Sequence, residues 1–519
     1  MDKAGFISDI NKGYAFPGES ILLGAAVFEG KPEKEVFVRI PLSTLNRHGL
    51  ISGATGTGKT KTLQVLAEQL SAKGVPTLVM DIKGDLSGIA MQNEGSPKID
   101  ERHNLIGMPY IPGNSPVEFL SLSEEPGVRL RATVSEFGPV LFSKMLELNE
   151  TQQSVMTVVF KFCDDQQLPI LDLEDLKKVM QYITSEGKKE FEAEYGKIMS
   201  TSVGTIIRKL VELEQQGAAG FFGEPSFDVN DLIRKNEDGH GIVHVLRVTD
   251  IQDKPKLFST FMLQLLAEIY SIFPEEGDLD RPKLVIFLDE AHLIFDNASQ
   301  ALLDQIEVII KLIRSKGIGI VFVTQSPTDI PEEVLGQLGL KIQHALRAFT
   351  AKDRKGIVEA SENFPESSYY KIDQLITELG IGEALVTTLN EKGIPTPLVH
   401  TYLRAPHSRM DVLKPAEITK INRESALIDK YSNPLDHESA SEILAAKMED
   451  AASEEHKEVI GRQTTRARKE KSTLEKVLSN TTTRQVGRTV AREITRGILG
   501  VLGVKTTTRK TTRKKTGWF

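Results

Sequence analysis

The stretch of this sequence that most constrains the fold is the loop GATGTGKT at residues 53–60. It fits the pattern G-x-x-x-x-G-K-[ST] at every fixed position. The apolar stretch HGLISG leads into it, and a helix-like stretch from Lys59 to about Lys73 follows it. In a strand, glycine-rich turn and helix of this order, backbone N–H groups and the helix N-terminus point at the same space, where phosphate groups bind. The loop therefore predicts nucleotide binding.

The residues of this loop have distinct expected roles. Lys59 is expected to bridge the β- and γ-phosphates of a nucleoside triphosphate, and the hydroxyl group of Thr60 is expected to hold Mg²⁺. The other expected contacts to the nucleotide are Gly53, Ala54, Thr55, Gly56, Thr57, Gly58 and Lys61.

Apolar runs alternate with helical patterns over residues 46–95 and 240–410. The runs that predict strands are TLVMDI, GIVHVLRV, LVIFL, IGIVFVT and KIQHALRA. Such alternation is typical of a mostly parallel sheet covered by helices on both faces. We therefore predict an α/β fold with a phosphate-binding loop.

The rest of the chain divides by composition. Residues 1–45 contain a short β segment, residues 96–239 are expected to be a helical insert, and residues 411–455 a partly helical linker. From residue 456 to 519 there are seventeen Lys and Arg against four Glu, a balance of +13, so the net charge of −8 leaves −21 for the preceding residues. This basic C-terminal tail is either an arm that binds nucleic acid or an acidic surface, or a solvated extension without a binding role.

Two carboxylates follow the apolar run at residues 284–288. Asp289 and Glu290 would lie at the carboxyl end of a buried strand, where ligands bind in open α/β sheets. Asp289 is expected to orient Mg²⁺, and Glu290 to polarise the attacking water, which favours hydrolysis over phosphoryl transfer to a hydroxyl group. Gln325 ends the next strand and is expected to emerge beside Glu290, where its amide either senses the γ-phosphate, holds the attacking water or only caps the strand. Arg314 ends the intervening helix, where it either complements the helix dipole or acts as an arginine finger.

The letters Asp-Glu-Ala-His at residues 289–292 also label a class of RNA helicases, the DEAH-box proteins. In those proteins a Ser-Ala-Thr motif and an arginine-rich motif follow the acidic one. Here the next strand ends in TQSP, and the nearest approximation to the arginine-rich motif, QVGRTVAR, is mis-spaced and lies in the basic tail. We therefore interpret the match as a coincidence of spelling, with His292 packing at the start of the following loop.

Four motifs together resemble the HerA–FtsK class of P-loop motors: LNRHGLISGATGTGKTKTL, TLVMDIKGDLSGI, LVIFLDEAHLIF and GIGIVFVTQSPTDIP. More closely, the chain resembles the bacterial HerA-like helicase C-terminal-domain family over roughly residues 18–410. HerA proteins are hexameric, DNA-translocating ATPases with a RecA-like core, a helical insert and an N-terminal β-barrel. The resemblance implies ATP and Mg²⁺ as cofactors. It also implies the following site residues: Lys59, Thr60, Asp289, Glu290, Gln325 as the sensor, Arg314 as a finger acting in trans, and Arg47 near the nucleotide.

We expect a ring-forming ATPase that moves along or unwinds DNA. The partners implied by the resemblance are DNA, further copies of the chain in a hexamer, and a nuclease. The N-terminal strands occupy only about 45 residues, too few for the barrel that binds the nuclease in HerA. The alternative is an ATPase that remodels or assembles proteins, which the acidic body favours. A kinase is disfavoured by Glu290, and a GTPase by the lack of an N-K-x-D motif.

The cellular setting is predicted from what the sequence lacks. It contains one cysteine, Cys163, which excludes a disulfide framework and fits a reducing compartment. The first residues lack the apolar core of a signal peptide, and no apolar run is long enough to cross a bilayer. We expect a cytoplasmic enzyme without a membrane segment.

Overall fold

The computed structural model describes residues 2–122, 125–249, 255–277, 279–295, 300–433, 435 and 438–448. The predicted basic tail at 456–519 and the end of the predicted linker lie outside these residues. The strands are β1 (Ser20–Phe28), β2 (Lys31–Pro41), β3 (Gly49–Ser52), β4 (Thr77–Asp81), β5 (Val117–Ser121), β6 (Val128–Arg129), β7 (Val243–Arg247), β8 (Leu284–Leu288), β9 (Ile318–Thr324), β10 (Leu340–Gln343), β11 (Glu383–Thr387) and β12 (Val399–Leu403).

A helical stretch lies at residues 440–448, and the other α-helices of the described residues lie before, between and after the strands. They are α1 (Lys3–Gly13), α2 (Lys59–Ala72), α3 (Pro97–Ile106), α4 (Val134–Met145), α5 (Glu150–Gln166), α6 (Leu173–Tyr182), α7 (Lys188–Tyr195), α8 (Ser200–Gln215), α9 (Pro255–Ile272), α10 (His292–Phe295), α11 (Gln300–Ile313), α12 (Glu332–Leu335), α13 (Ala351–Glu362), α14 (Ile372–Glu378), α15 (Pro415–Arg423) and α16 (Ile428–Tyr431). None of them is both long and apolar enough to cross a membrane.

The described strands form one sheet in the order β2-β1-β12-β11-β10-β3-β9-β8-β4-β7-β5-β6. From β10 to β6 every neighbouring pair is parallel. The pairs from β10 through β11, β12 and β1 to β2 are antiparallel. The prediction of a mostly parallel α/β sheet is confirmed, and the parallel part brings the carboxyl ends of β3, β9, β8 and β4 to one edge.

Both faces of the sheet are buried, which explains the continuous apolar runs of its central strands. In β8, Leu284 and Ile286 pack on one face together with α9, α11 and the helices α4–α8. Val285 and Phe287 belong to the core on the other face, which also contains residues of α1 and α2. Successive side chains alternate between faces, so each strand contributes to two cores.

Two predicted domain boundaries are wrong. The predicted helical insert at 96–239 begins too early, because β5 pairs with β7 and β6 extends the sheet from β5. Its helices α4–α8 span only residues 134–215. The predicted N-terminal β segment is not separate either, since β1 pairs with β12 and β2 with β1. The pairings of β5 with β7 and of β1 with β12 join residues far apart in sequence, which local patterns do not reveal.

A half-buried carboxyl group in α9 makes stability depend on pH. Burial, with the charges of Glu136 and Asp228 added, raises the pKa of Glu268 from 4.5 to about 8. The folded chain therefore binds a proton that the unfolded chain releases, so this group's contribution to stability is lost as pH rises from about 4.5 to about 8. We expect Glu268→Gln to raise the free energy of unfolding by about 2 kcal/mol at about pH 8.5 and to change it little at about pH 5.

Urea unfolding at both pH values measures this effect. The control is Glu362→Gln, which changes an exposed carboxylate of α13 and should leave both values within about 0.5 kcal/mol. An equal effect of Glu268→Gln at both pH values would contradict the assignment.

Candidate nucleotide-binding site

The phosphate-binding loop connects β3 to α2. It is hydrogen-bonded to the chain at the ends of β9 and β10, the two strands that flank β3. The N–H of Gly53 donates to the carbonyl of Thr324 at 3.2 Å, and that of Ala54 to the carbonyl of Ala345 at 2.8 Å. Gly53 has φ +151°, and a Cβ there would lie 2.5 Å from the Cβ of His344. Only glycine allows the loop to pass this close to the residues after β10.

Lys59 lies inside the curve of this loop. Its side chain is buried, and its ammonium group donates to the carbonyl groups of Gly53 at 2.6 Å and Ala54 at 3.2 Å. Burial lowers the pKa of Lys59, while the charge of Glu290 acts in the opposite direction. Thr60 is half-buried in the first turn of α2, next to Lys59. Lys59 and Thr60 therefore lie side by side where the loop joins α2.

The acidic pair lies two strands away, after β8, at the same edge of the sheet. The N–H of Ala291 donates to the carbonyl of Val323 at 2.9 Å and ties the end of β8 to β9. Burial and the charge of Glu290 raise the pKa of Asp289 to about 6. Glu290 has φ +47°, a left-handed conformation that few non-glycine residues adopt and that is common at functional sites.

Glu290 forms an ion pair with Lys83, which follows β4. Nδ1 of His292 lies 3.3 Å from the other carboxylate oxygen. Burial raises the pKa of Glu290, but the hydrogen bond and charge of Lys83, with smaller contributions from His292 and Gln325, outweigh it and lower the pKa. The prediction that His292 only packs in a loop is wrong, since it begins α10 and faces the carboxylate.

Gln325 lies where the sequence predicts, beside Glu290. It is exposed, and its amide helps to lower the pKa of that carboxylate. The turn after it is fixed by Asp329, whose carboxylate accepts from Oγ1 of Thr324 at 2.5 Å and from the N–H of Ser326 at 2.9 Å. This turn presents Gln325 at the edge that carries the phosphate loop.

Arg314 and Arg47 lie at the opposite edge of the sheet. Arg314 is exposed just before β9, and Arg47 comes just before β3. His48, next to Arg47, forms hydrogen bonds to α11 and to β9. Its Nε2 lies 2.8 Å from the carbonyl of Ile310, and its Nδ1 accepts from the N–H of Ile320 at 3.1 Å. Burial lowers the pKa of His48 to about 4, and the charge of Arg314 contributes. Neither arginine is brought to the phosphate loop of its own chain.

The side chain of Lys61 also turns away from the phosphate loop. Its ammonium group donates to the carbonyl of Met410 at 2.5 Å and to Oε1 of Gln64 at 3.3 Å. Nε2 of Gln64 donates in turn to Oγ of Ser408 at 2.8 Å. The start of α2 is thus bound to the segment after β12, and a nucleotide contact by the Lys61 side chain is not supported.

Sequence reasoning missed two supports of the loop. His344 bonds to Oγ1 of Thr62 at 2.9 Å, and burial lowers its pKa to about 3, so the ring stays neutral. The N–H of Gly382 donates to the carbonyl of Thr57 at 3.0 Å. Both residues approach the loop through strand pairing across the sheet, and no local pattern marks them.

The residues present fit a divalent cation. Oδ2 of Asp289 is buried and has no hydrogen-bond partner among the described residues, and buried carboxylate oxygens normally have one. Within the same residues, no group of three His, Cys, Asp or Glu could hold a metal. Mg²⁺ needs few protein ligands when phosphates and water supply the rest. Asp289 and Thr60 match that requirement.

Comparison with known proteins places this chain in a family. Residues 26–507 match the family described as helicase HerA-like C-terminal. The DNA double-strand break repair helicases HerA of Sulfurisphaera tokodaii and Saccharolobus solfataricus are 26% and 24% identical to this chain over 359 residues, covering 68% of this chain and 64% of each relative. The chain thus spans somewhat less than two thirds of the length of these relatives.

Among solved structures, the bacterial conjugative coupling protein TrwBdeltaN70 in its unbound monoclinic form superposes with a TM-score of 0.50. It is 13% identical, and the alignment covers 78% of this chain and 95% of that one. At this identity the likeness concerns the fold alone, which is the RecA-like fold expected from the sequence. The family match covers most of the chain, from β1 past α16, and the chain belongs to the family of helicase HerA-like C-terminal proteins.

Proposed function

We propose that this chain is an ATPase that couples ATP hydrolysis to movement along DNA as a ring-shaped homo-oligomer. The observation that carries the proposal is the meeting of Lys59 with Asp289 and Glu290 at one edge of the sheet. A carboxylate that stays ionised in a buried position fits activation of water, and so hydrolysis. The relatives named DNA double-strand break repair helicases support DNA as the track.

Each residue has a role in the proposed reaction. Lys59 and the loop N–H groups bind the phosphates, and Glu290 polarises the attacking water. Asp289 and Thr60 would hold Mg²⁺, which neutralises phosphate charge when bound. Gln325 senses the γ-phosphate. Arg314 acts in trans, which makes assembly a condition for rapid turnover.

An exposed stretch after β10 is suited to contact DNA. Residues 347–355, here called the basic segment, contain four Lys or Arg and one Asp, a balance of +3. Phe349 is 88% exposed within it. The carboxylate of Asp353 accepts from the N–H groups of Phe349 and Thr350 at 2.9 and 2.8 Å. Lys352 and Arg354 are exposed in the same segment, and Lys355 is an exposed lysine that pairs with Glu359 at 3.5 Å. Cations attract phosphates, and an exposed ring can stack on a base.

The basic segment is directly connected to the phosphate loop. Ala345 accepts a hydrogen bond from Ala54 of the loop, and His344 bonds to Thr62 of α2. Arg347 anchors the segment to α14, donating to the carbonyl of Thr377 at 2.6 Å. A change in the loop can therefore be transmitted to the segment through only two residues of chain.

The alternative track is a protein. The balance of −21 before residue 456 favours this alternative, because an acidic body repels DNA phosphates. The basic segment is a local exception to that charge. Measuring ATP hydrolysis with and without single- and double-stranded DNA at low salt separates the two, because a protein-remodelling ATPase would be indifferent to DNA.

We expect the double variant Arg354→Glu/Lys355→Glu to weaken DNA binding about 10-fold or more, and to lower the slope of log affinity against log salt by about 2. DNA should then stimulate hydrolysis little, while the rate without DNA stays near that of the unchanged protein. Fluorescence anisotropy over a salt series and a hydrolysis assay give these values.

The matched control reverses two exposed lysines of the insert helix α7, Lys188→Glu/Lys189→Glu, and should bind DNA nearly as the unchanged protein does. If both double variants lose affinity equally, attraction depends on net charge and the basic segment is not the contact. If the unchanged protein hydrolyses ATP but ignores DNA, the track is a protein.

A further inference from the structure

Lys83 reaches the catalytic carboxylate because of strand order. β4 and β8 are neighbours in register, with Met80 opposite Leu288. The chain after β4 therefore emerges beside the chain after β8. Lys83 is placed there and pairs with Oε1 of Glu290. The motif DIKGD at residues 81–85 supplies this lysine, to which the sequence alone assigned no role.

The turn that carries Lys83 is fixed by its own carboxylate. Asp81 is fully buried, and its side chain accepts from the N–H of Asp85 at 3.1 Å and from that of Leu86 at 3.3 Å. Gly84, with φ +75°, allows the chain to close this turn. The backbone beneath the lysine is therefore held by the same strand end that defines the site.

Glu290 depends on outside support for its orientation. Its backbone is left-handed, and its carboxylate is buried, so neither local conformation nor solvent favours one position. Lys83 engages Oε1, whereas Oε2 has Nδ1 of His292 3.3 Å away but accepts no well-aligned hydrogen bond from the part of the chain that the structure describes. An oxygen without an aligned donor, on a carboxylate whose other oxygen is held, suits the attacking water.

We propose that Lys83 is a positioning residue that holds Oε1 of Glu290 so that Oε2 faces the attacking water. This inference rests on the proposed function, since it assigns Glu290 as the base for hydrolysis. Its ammonium group also compensates the negative charge that Asp289 and Asp85 add around the carboxylate. Lys83 thus stabilises an arrangement of like charges that would otherwise repel one another.

A different role is a direct contact from Lys83 to the nucleotide, and the two roles differ in what they change. A phosphate contact contributes to binding, so its loss raises KM and Kd. A positioning contact matters when water is activated, so its loss lowers kcat and leaves binding almost unchanged. The ratio of these effects is therefore the decisive measurement.

We expect Lys83→Met to lower kcat for ATP hydrolysis about 10- to 100-fold with KM and nucleotide Kd within about twofold of the unchanged protein. Lys83→Arg keeps the charge and should recover kcat to within about threefold. The control is Lys430→Met, which removes a lysine of α16 that is paired with Asp231. Lys430 is 49% exposed, compared with 43% for Lys83. This control should hydrolyse ATP normally.

Binding of a fluorescent ATP analogue shows that each variant is folded. A normal kcat for Lys83→Met, a raised kcat, or a loss that falls mainly on KM would each overturn the inference. So would an arginine variant as slow as the methionine one. Failure of the proposed function looks different, because the unchanged protein would then show no hydrolysis above that of Lys59→Ala.

Discussion

Replacing Lys59 with alanine is expected to lower ATP hydrolysis at least about 100-fold and to weaken nucleotide binding strongly. The ammonium group lies inside the loop, 2.6 Å from the carbonyl of Gly53, and its charge also interacts with Glu290 and Asp289. Alanine removes that charge and leaves the β- and γ-phosphates without their cationic contact. Steady-state hydrolysis and titration with a fluorescent ATP analogue measure the two losses.

The control for Lys59→Ala is Lys73→Ala at the other end of α2. Lys73 forms an ion pair with Glu19 at 3.2 Å, partly exposed, and its loss should change neither binding nor turnover by more than about twofold. Thermal unfolding checks that both variants keep the fold. Hydrolysis by Lys59→Ala at more than a tenth of the normal rate would contradict the assignment of the loop as the catalytic nucleotide site.

Replacing Arg314 with alanine is expected to lower turnover about 1,000-fold while nucleotide binding is retained. Arg314 is exposed just before β9, whereas the phosphate loop is bonded to the far end of that strand. Seven residues of β9 separate them, or about 20 Å at the rise of a strand. An arginine side chain cannot span that distance, so the expected loss of turnover requires Arg314 to reach the nucleotide of a neighbouring copy.

Mixing two inactive variants tests this assignment directly. Rings that combine Arg314→Ala with Lys59→Ala should regain part of the activity, because the first supplies an intact phosphate loop and the second supplies the arginine. Each variant alone remains inactive at any concentration. If mixed oligomers form, as shown by light scattering and tagged copurification, and stay inactive, then Arg314 does not act in trans.

The sequence was sufficient to predict that the proposed site residues meet at one edge of the sheet. Lys59 follows one predicted strand, and Asp289 and Glu290 follow another, and parallel strands bring their carboxyl ends to the same edge. Periodicity and the fixed spacing of the loop contain that information locally. The same reasoning failed for Lys61, whose position beside the motif suggested a contact that Met410 receives instead.

Domain boundaries were harder to predict because they depend on pairing between distant segments. β5 belongs to the sheet since it pairs with β7, more than a hundred residues later, and β1 belongs to it since it pairs with β12 at the other end of the core. The sequences of β1 and β5 are equally compatible with strands of a small separate domain. Only the partner strand decides between these possibilities.

By itself the sequence determined the α/β class, the phosphate loop, the acidic pair and the family, because each is encoded within a short stretch of chain. The tertiary structure alone decided that Lys83 pairs with Glu290, that His344 supports the loop, and that Arg314 lies at the opposite edge. Those facts depend on which strand lies next to which. Strand order is set by the burial of two apolar faces over the whole sheet, and no local stretch of sequence contains it.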